Sequence, residues 1–179
     1  MKKLAILTNN INQTVLEITN YLKDKTYIVW LSENNNLLKT ANDFGVEFKI
    51  YQEEYLKDFD LIASADFECQ TDYKILKVHK SLLPLFEGSN PINEAIQAGV
   101  NVVGVSVYSI NPYEIIAQYP IFIEKPYNYH KIAFELQIIE QILYPLVIEK
   151  VLNNEKFNTK TLMQQNSCGG NCGGCGGCH

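Results

Sequence analysis

The chain has 179 residues, which suits one domain of roughly 100–200 residues with a sizeable core. Apolar residues make up 46% and charged residues 20%, a balance that excludes an intrinsically disordered chain. The net charge of −5 and pI near 5.2, with no Lys/Arg cluster, argue against a nucleic-acid partner and against an anionic-membrane patch, since both need concentrated cations.

Lys2 and Lys3 begin as a signal peptide would, but the apolar run Leu4-Ala5-Ile6-Leu7 stops at Thr8-Asn9-Asn10. A secretory core needs roughly 7–15 apolar residues, so residues 3–8 read as a first buried strand. Residues 13–23 follow as a helix, with Val15, Leu16, Ile18 and Leu22 at helical spacing. Residues 26–31 are a second strand. Asn34-Asn35-Asn36 reads as a capping turn before a short helix at 37–44, closed by Gly45. Residues 46–51 and 60–65 are the third and fourth strands, and 75–79 the fifth. Short strands alternating with helices predict an α/β fold with a mostly parallel twisted sheet and helices on both faces.

The pattern then changes. A loop holding Pro84, Gly88 and Pro91 leads to a helix at 92–98 that ends at Gly99. Residues 102–108 alternate in polarity, and 120–124 form a further short strand. These two are expected as antiparallel edge strands. From Tyr129 to Leu152 the spacing is helical, with Pro145 predicting a kink or two abutting helices. No stretch approaches the ~18 apolar residues of a membrane helix. The expected organisation is one domain at 1–152, a polar linker at 153–167 and a Cys/Gly-rich tail at 168–179, in a cytoplasmic protein.

His79-Lys80-Ser81-Leu82-Leu83-Pro84-Leu85-Phe86-Glu87-Gly88 resembles the H-P-S-L-L-P-x-[YF]-x-G signature of the folate-dependent formyltransferases. Ala95-Ile96-Gln97-Ala98-Gly99, Gly104-Val105-Ser106-Val107 and Leu143-Tyr144-Pro145-Leu146-Val147-Ile148 follow the same family in order, the last resembling the glycinamide ribonucleotide branch. The resemblance implies a Rossmann-like formyltransferase fold and transfer of a formyl group from 10-formyltetrahydrofolate to an amine. It implies an Asn and a His that stabilise the oxyanion, and an Asp that holds the His and manages protons. His79 stands at the His position and is the candidate catalytic residue. Lys77 replaces the Asn; a cation beside the imidazole would suit an anion site, and a solvent-facing lysine is the favoured reading. Tyr108 replaces a His found after the G-x-S-V run. The cis peptide at Pro84 is also implied by the resemblance.

Three departures accompany these matches. The acidic D-x-G-P-I loop after that strand is missing between Asn111-Pro112 and Gln118, leaving Glu114 as the nearby carboxylate. The glycine-containing phosphate turn of the family is Asn9-Asn10-Ile11-Asn12-Gln13 here, with no glycine to let the backbone approach a phosphate. The segment from Phe67 to Tyr73 is much shorter than the family's folate-binding loop.

The tail carries the sharpest chemistry. Cys168, Cys172, Cys175, Cys178 and His179 fall within thirteen residues spaced by glycines. C-x2-C spacing lets two thiolates meet one metal, and four soft ligands suit zinc, an iron–sulfur cluster or Cu(I). A disordered thiol-rich tail, or a target for cysteine modification, is the other reading of the same residues. Two function classes are therefore open. One is a formyltransferase-like domain without full transfer activity, which binds a small-molecule ligand or protein partner and carries a metal or redox tail. The other is an active formyltransferase with a rearranged site around His79, which a carboxylate within hydrogen-bond reach of His79 would support.

Overall fold

Leu4 to Leu7, Ile28 to Ser32 and Leu61 to Ser64 are buried along their whole length, the signature of strands covered on both faces. In the computed structural model, which describes residues 1–160, they form the centre of a seven-stranded sheet. The tail residues Cys168, Cys172, Cys175, Cys178 and His179 lie outside the described residues. In chain order the elements are β1 (Lys3–Leu7), α1 (Gln13–Leu22), β2 (Tyr27–Ser32), α2 (Leu37–Asp43), β3 (Glu47–Ile50), a 3-10 turn (Glu53–Asp58), β4 (Leu61–Ser64), β5 (Ile75–His79), α3 (Pro91–Ala98), β6 (Val102–Ile110), β7 (Glu114–Phe122) and α4 (Tyr129–Leu152).

The sheet order is β3-β2-β1-β4-β5-β6-β7. The first five strands are parallel, and β6 and β7 are antiparallel additions, as the alternation of elements predicts. The two faces are covered unequally. Ile18 and Leu22 of α1, Ala41 of α2, Ala95 of α3 and six buried apolar side chains of α4, from Ile132 to Leu152 and including Leu136 and Leu143, share one core with Ile6, Trp30 and Val105. On the other face Leu56 of the 3-10 turn and Phe67 cover Leu7, Leu31 and Ile75.

Local signals end each element. The Asn12 side chain accepts from Val15 N at 3.0 Å, and Asn128 accepts from Lys131 N at 3.0 Å, capping α1 and α4. Gly99, at φ +71°, closes α3 in the left-handed conformation that glycine adopts without strain. Through Pro145, α4 remains one helix instead of two. Proline removes one backbone donor there, and the turn is held by packing, because Leu143, Tyr144, Pro145 and Val147 are all buried. The second antiparallel strand starts earlier than its polarity suggests. A bulge shifts the β6/β7 register between Val107 and Tyr108, so that Ala117 faces Val107 and Ile115 faces Tyr108. The extra residue, Ile116, breaks the period of two that marks a strand in sequence.

Candidate functional site

In a sheet of this order the chain leaves β1 toward β2 on one side and β4 toward β5 on the other. Ligand crevices in open α/β sheets form outside the carboxyl ends of strands at such a reversal. Here the loop after β1 meets the loop after β4. Asp66 Oδ1 accepts from Asn9 N at 2.8 Å, and Asp66 Oδ2 accepts from Asn10 Nδ2 at 3.0 Å. The buried Thr8 hydroxyl lies 2.8 Å from Asp66 Oδ1 and 2.7 Å from Asn10 O, with one proton for the two. The donors of this turn thus converge on a carboxylate of the chain itself.

One strand over, an open cleft of about 630 Å³ is lined by Glu68, Lys77, His79, Lys80, Tyr108 and Glu140, among others. Strand alternation puts Lys77 and His79 on one face of β5, with Val78 turned into the core opposite. Across the antiparallel pair Tyr108 stands opposite Lys77, and Ser106 opposite His79. The imidazole is held from the signature loop, for His79 Nε2 lies 3.0 Å from the Phe86 carbonyl oxygen. A carbonyl only accepts, so the ring donates to it from Nε2. Phe86 sits at φ +55°, in the left-handed region that non-glycine residues rarely occupy. The loop is laid onto the sheet by Ser106, which is fully buried. Its hydroxyl donates to Ser81 O at 2.6 Å and accepts from Leu83 N at 3.0 Å and from Gln118 Nε2 at 3.0 Å. Gly104 permits this close approach: a Cβ there would stand 2.4 Å from Tyr119 O and 2.5 Å from Leu82 Cδ2. The Leu83–Pro84 peptide in this loop is cis.

Lys77 differs from the expectation of a solvent-facing side chain. It is only 13% exposed, because Tyr108 and His79 flank it on the concave side of the strand ends, and its ammonium lies 2.6 Å from Glu68. Glu68 itself is 86% exposed. Lys80 ion-pairs with Glu140 Oε2 at 3.3 Å, while Glu140 Oε1 accepts from the Thr14 hydroxyl at 2.5 Å. Glu140 is the charged residue buried in this region. Burial raises the Tyr108 phenol above its ordinary value, and the charges of Glu68 and Tyr113 add to that. Above this, Tyr144 is fully buried, its hydroxyl 2.9 Å from Ser64 O and 2.7 Å from Leu76 O, which ties α4 to the ends of β4 and β5.

Glu114 does not approach His79. It faces Ser109 at the far end of β6 and pairs with Lys74 at 3.6 Å. Among the described residues no carboxylate ion-pairs with the His79 ring, and no group of three or more His, Cys, Asp or Glu is arranged to hold a metal. Asp66, Glu68 and Glu140 are members of the site that no motif marks, whereas Ser106 lies within the Gly104-Val105-Ser106-Val107 run. Of the three, Glu140 alone has a sequence signal, a carboxylate on an otherwise apolar helix face between Leu136 and Leu143–Tyr144.

The formyl transferase family model matches residues 17–148. The chain belongs to the formyl transferase family. Among curated proteins it is 35% identical over 83 residues to the phosphoribosylglycinamide formyltransferase of Bacillus subtilis, covering 44% of this chain and 43% of that protein. It is 27% identical over 128 residues to the human trifunctional purine biosynthetic protein adenosine-3, covering 66% of this chain and 13% of that protein. A formyltetrahydrofolate deformylase of Haemophilus influenzae matches at 24% over 137 residues, covering 71% of this chain and 49% of that protein. The matched stretch thus spans less than half of each of these relatives. Among solved structures, glycinamide ribonucleotide transformylase 1 of Geobacillus kaustophilus superposes with a TM-score of 0.73 at 22% identity, covering 85% of this chain and 99% of that one. The likeness at that identity establishes the shared fold. Among the described residues no helix is long and apolar enough to cross a membrane.

Proposed function

We propose that this family member binds a small polar ligand in the His79 cleft without completing formyl transfer. The observation that carries the reading is the state of the imidazole: Nε2 is bonded to the Phe86 carbonyl, and no described carboxylate pairs with the ring. Formyl transfer passes through a tetrahedral oxyanion and needs a positioned donor together with a group that moves the amine's protons. At the position where the resemblance implies an Asn, Lys77 is engaged by Glu68. Among the described residues, the carboxylate that the resemblance implies on the His has no counterpart bonded to the ring. Such a donor set does not fit transfer chemistry on 10-formyltetrahydrofolate.

The deciding assay supplies 10-formyltetrahydrofolate with and without glycinamide ribonucleotide, and follows both formyl transfer and hydrolysis. The expected result is no turnover above the protein-free rate, in the wild type and in His79→Ala alike. Turnover that His79→Ala abolishes would overturn the reading and establish an active formyltransferase or deformylase with a rearranged site around His79.

The tail belongs to the same proposal. Cys168, Cys172, Cys175, Cys178 and His179 supply soft ligands at metal-binding spacing for zinc or an iron–sulfur cluster. Metal content and the absorption spectrum after anaerobic purification, for the full chain and for one ending at Asn166, test it. Metal that disappears on truncation is expected; a full chain without metal, its thiols titrating freely, would refute it.

A further inference from the structure

The His79 cleft holds two lysines whose counter-ions are of opposite character. Lys80 is paired with Glu140, whose side chain is 9% exposed and whose other oxygen is fixed by Thr14. That pair is part of the packed framework. Lys77 is the reverse: the ammonium is on a side chain only 13% exposed, and the carboxylate that meets it is on one 86% exposed. A cation on a side chain this little exposed gains from a counter-ion beside it. An exposed glutamate contributes little as that counter-ion, since solvent screens it and its side-chain entropy is lost in holding one geometry. The partner that Lys77 requires is therefore weakly held.

We propose that Glu68 is a displaceable counter-ion and that Lys77 receives the carboxylate of a small monocarboxylic acid bound in the cleft. The inference rests on the ligand-binding reading above and names the ligand class. Tyr108 faces Lys77 across the strand pair, and His79 lies on the same face two residues away, so a phenol and an imidazole flank the seat. Release of Glu68 returns its side chain to water, which it already largely faces. Charge sets the class. Glu68, Glu87 and Glu140 line the same cleft as Lys77, Lys80 and His79, so a ligand with one negative charge replaces Glu68 evenly. A doubly charged phosphate would set its second charge against Glu87 and Glu140 with Lys80 already taken.

The test uses the full chain and follows the imidazole resonances of His79, assigned by their loss in His79→Gln, during titration with acetate at constant ionic strength. A saturable shift is expected in the wild type. Glu68→Gln removes the competing charge and should bind acetate about fivefold more tightly, the equivalent of a surface ion pair of about 1 kcal/mol. Lys77→Met, shown by its circular dichroism to be folded, should lose the saturable shift. The proposal is overturned if the wild type gives no saturable shift, if Glu68→Gln binds no more tightly, or if Lys77→Met binds as the wild type does; should Lys77→Met fail to fold, the Glu68→Gln comparison decides. Inorganic phosphate binding as tightly as acetate would overturn the monocarboxylate class. None of these readouts involves turnover, so formyl transfer by the wild type would sink the non-transferase reading and leave the acetate result intact.

Discussion

Ser106→Ala should destabilise the protein far beyond the loss of one surface hydroxyl. Ser106 is fully buried and holds three partners, one accepting and two donating. Gln118 Nε2 keeps a second acceptor, Leu83 O at 2.8 Å, and is not orphaned. The Ser81 carbonyl and the Leu83 N–H are main-chain groups at the edge of the core, and each would lose its hydroxyl partner. Leaving two such groups unpaired costs about 2–4 kcal/mol in total, where a simple hydrogen bond contributes about 1. For a domain of this size each kcal/mol moves the melting temperature by about 2–4 °C. Urea denaturation followed by circular dichroism should show a lower midpoint with an unchanged slope, since the surface exposed on unfolding is the same. Gln118→Ala is the control and should cost about 1 kcal/mol, because Ser106 keeps its two main-chain bonds. The loop that Ser106 anchors also carries the Phe86 carbonyl, so His79 resonances should move in Ser106→Ala and stay in place in Gln118→Ala. A Ser106→Ala protein within about 0.5 kcal/mol of the wild type would refute the account of how the signature loop is held.

Three further outcomes follow from single groups. Ser81 Oγ is buried without a partner among the described residues, so Ser81→Ala should raise stability by about 1 kcal/mol in the same urea assay. The Tyr21 hydroxyl first, and Lys25 second, hold the Glu149 carboxyl below its ordinary range. Its stabilisation is present above the unfolded carboxylate pKa of about 4.3 and lost as pH falls through the lower folded value, so Tyr21→Phe should flatten the acid limb of a stability–pH profile below about pH 5. Burial, then the neighbouring Cys69, pushes the Tyr51 phenol up to about 12. The stability linked to its neutral form is complete below the unfolded value of about 10 and lost as pH rises toward the folded one; the tyrosinate absorbance removed by Tyr51→Phe should titrate late, and a phase near 10 would contradict its partly buried placement against Phe67.

Much of the sheet was readable because its strands are short and continuously apolar. Leu4 to Leu7 and Leu61 to Ser64 carry the signal of strands buried on both faces, and Gly99 closes α3 where residue type places it, whereas Asn36, in the capping turn expected before α2, makes no side-chain cap bond. The 3-10 turn at Glu53–Asp58 was not readable: five of its six residues are Glu, Tyr, Lys or Asp, and one buried side chain, Leu56, fixes it. Position 79 could be found from the signature around it. The surroundings of that imidazole could not, because they come from Glu68 eleven residues upstream and from Glu140 on a helix at the other end of the domain. Lys77 shows the limit most plainly. A lysine on a strand that ends at a loop reads as solvent-facing, and only the cleft it lines, with Tyr108 opposite it across the strand pair, leaves its side chain 13% exposed.

The β6–β7 hairpin and the β4–β5 connection are tied together. The Asn111 side chain, in the hairpin, donates to the Thr71 carbonyl in the connection. Asn111 reaches it from a positive φ of 52°, a conformation asparagine tolerates better than most side chains. The Ser109 hydroxyl donates to Pro112 O at 2.8 Å and fixes the same hairpin from beneath. Asp66 is bonded to the β1 loop and Thr71 to the hairpin, and Glu68 lies between them on an exposed side chain that reaches Lys77. Displacing the Asn111 hairpin would remove the Thr71 contact and loosen the segment that carries Glu68 beside Lys77.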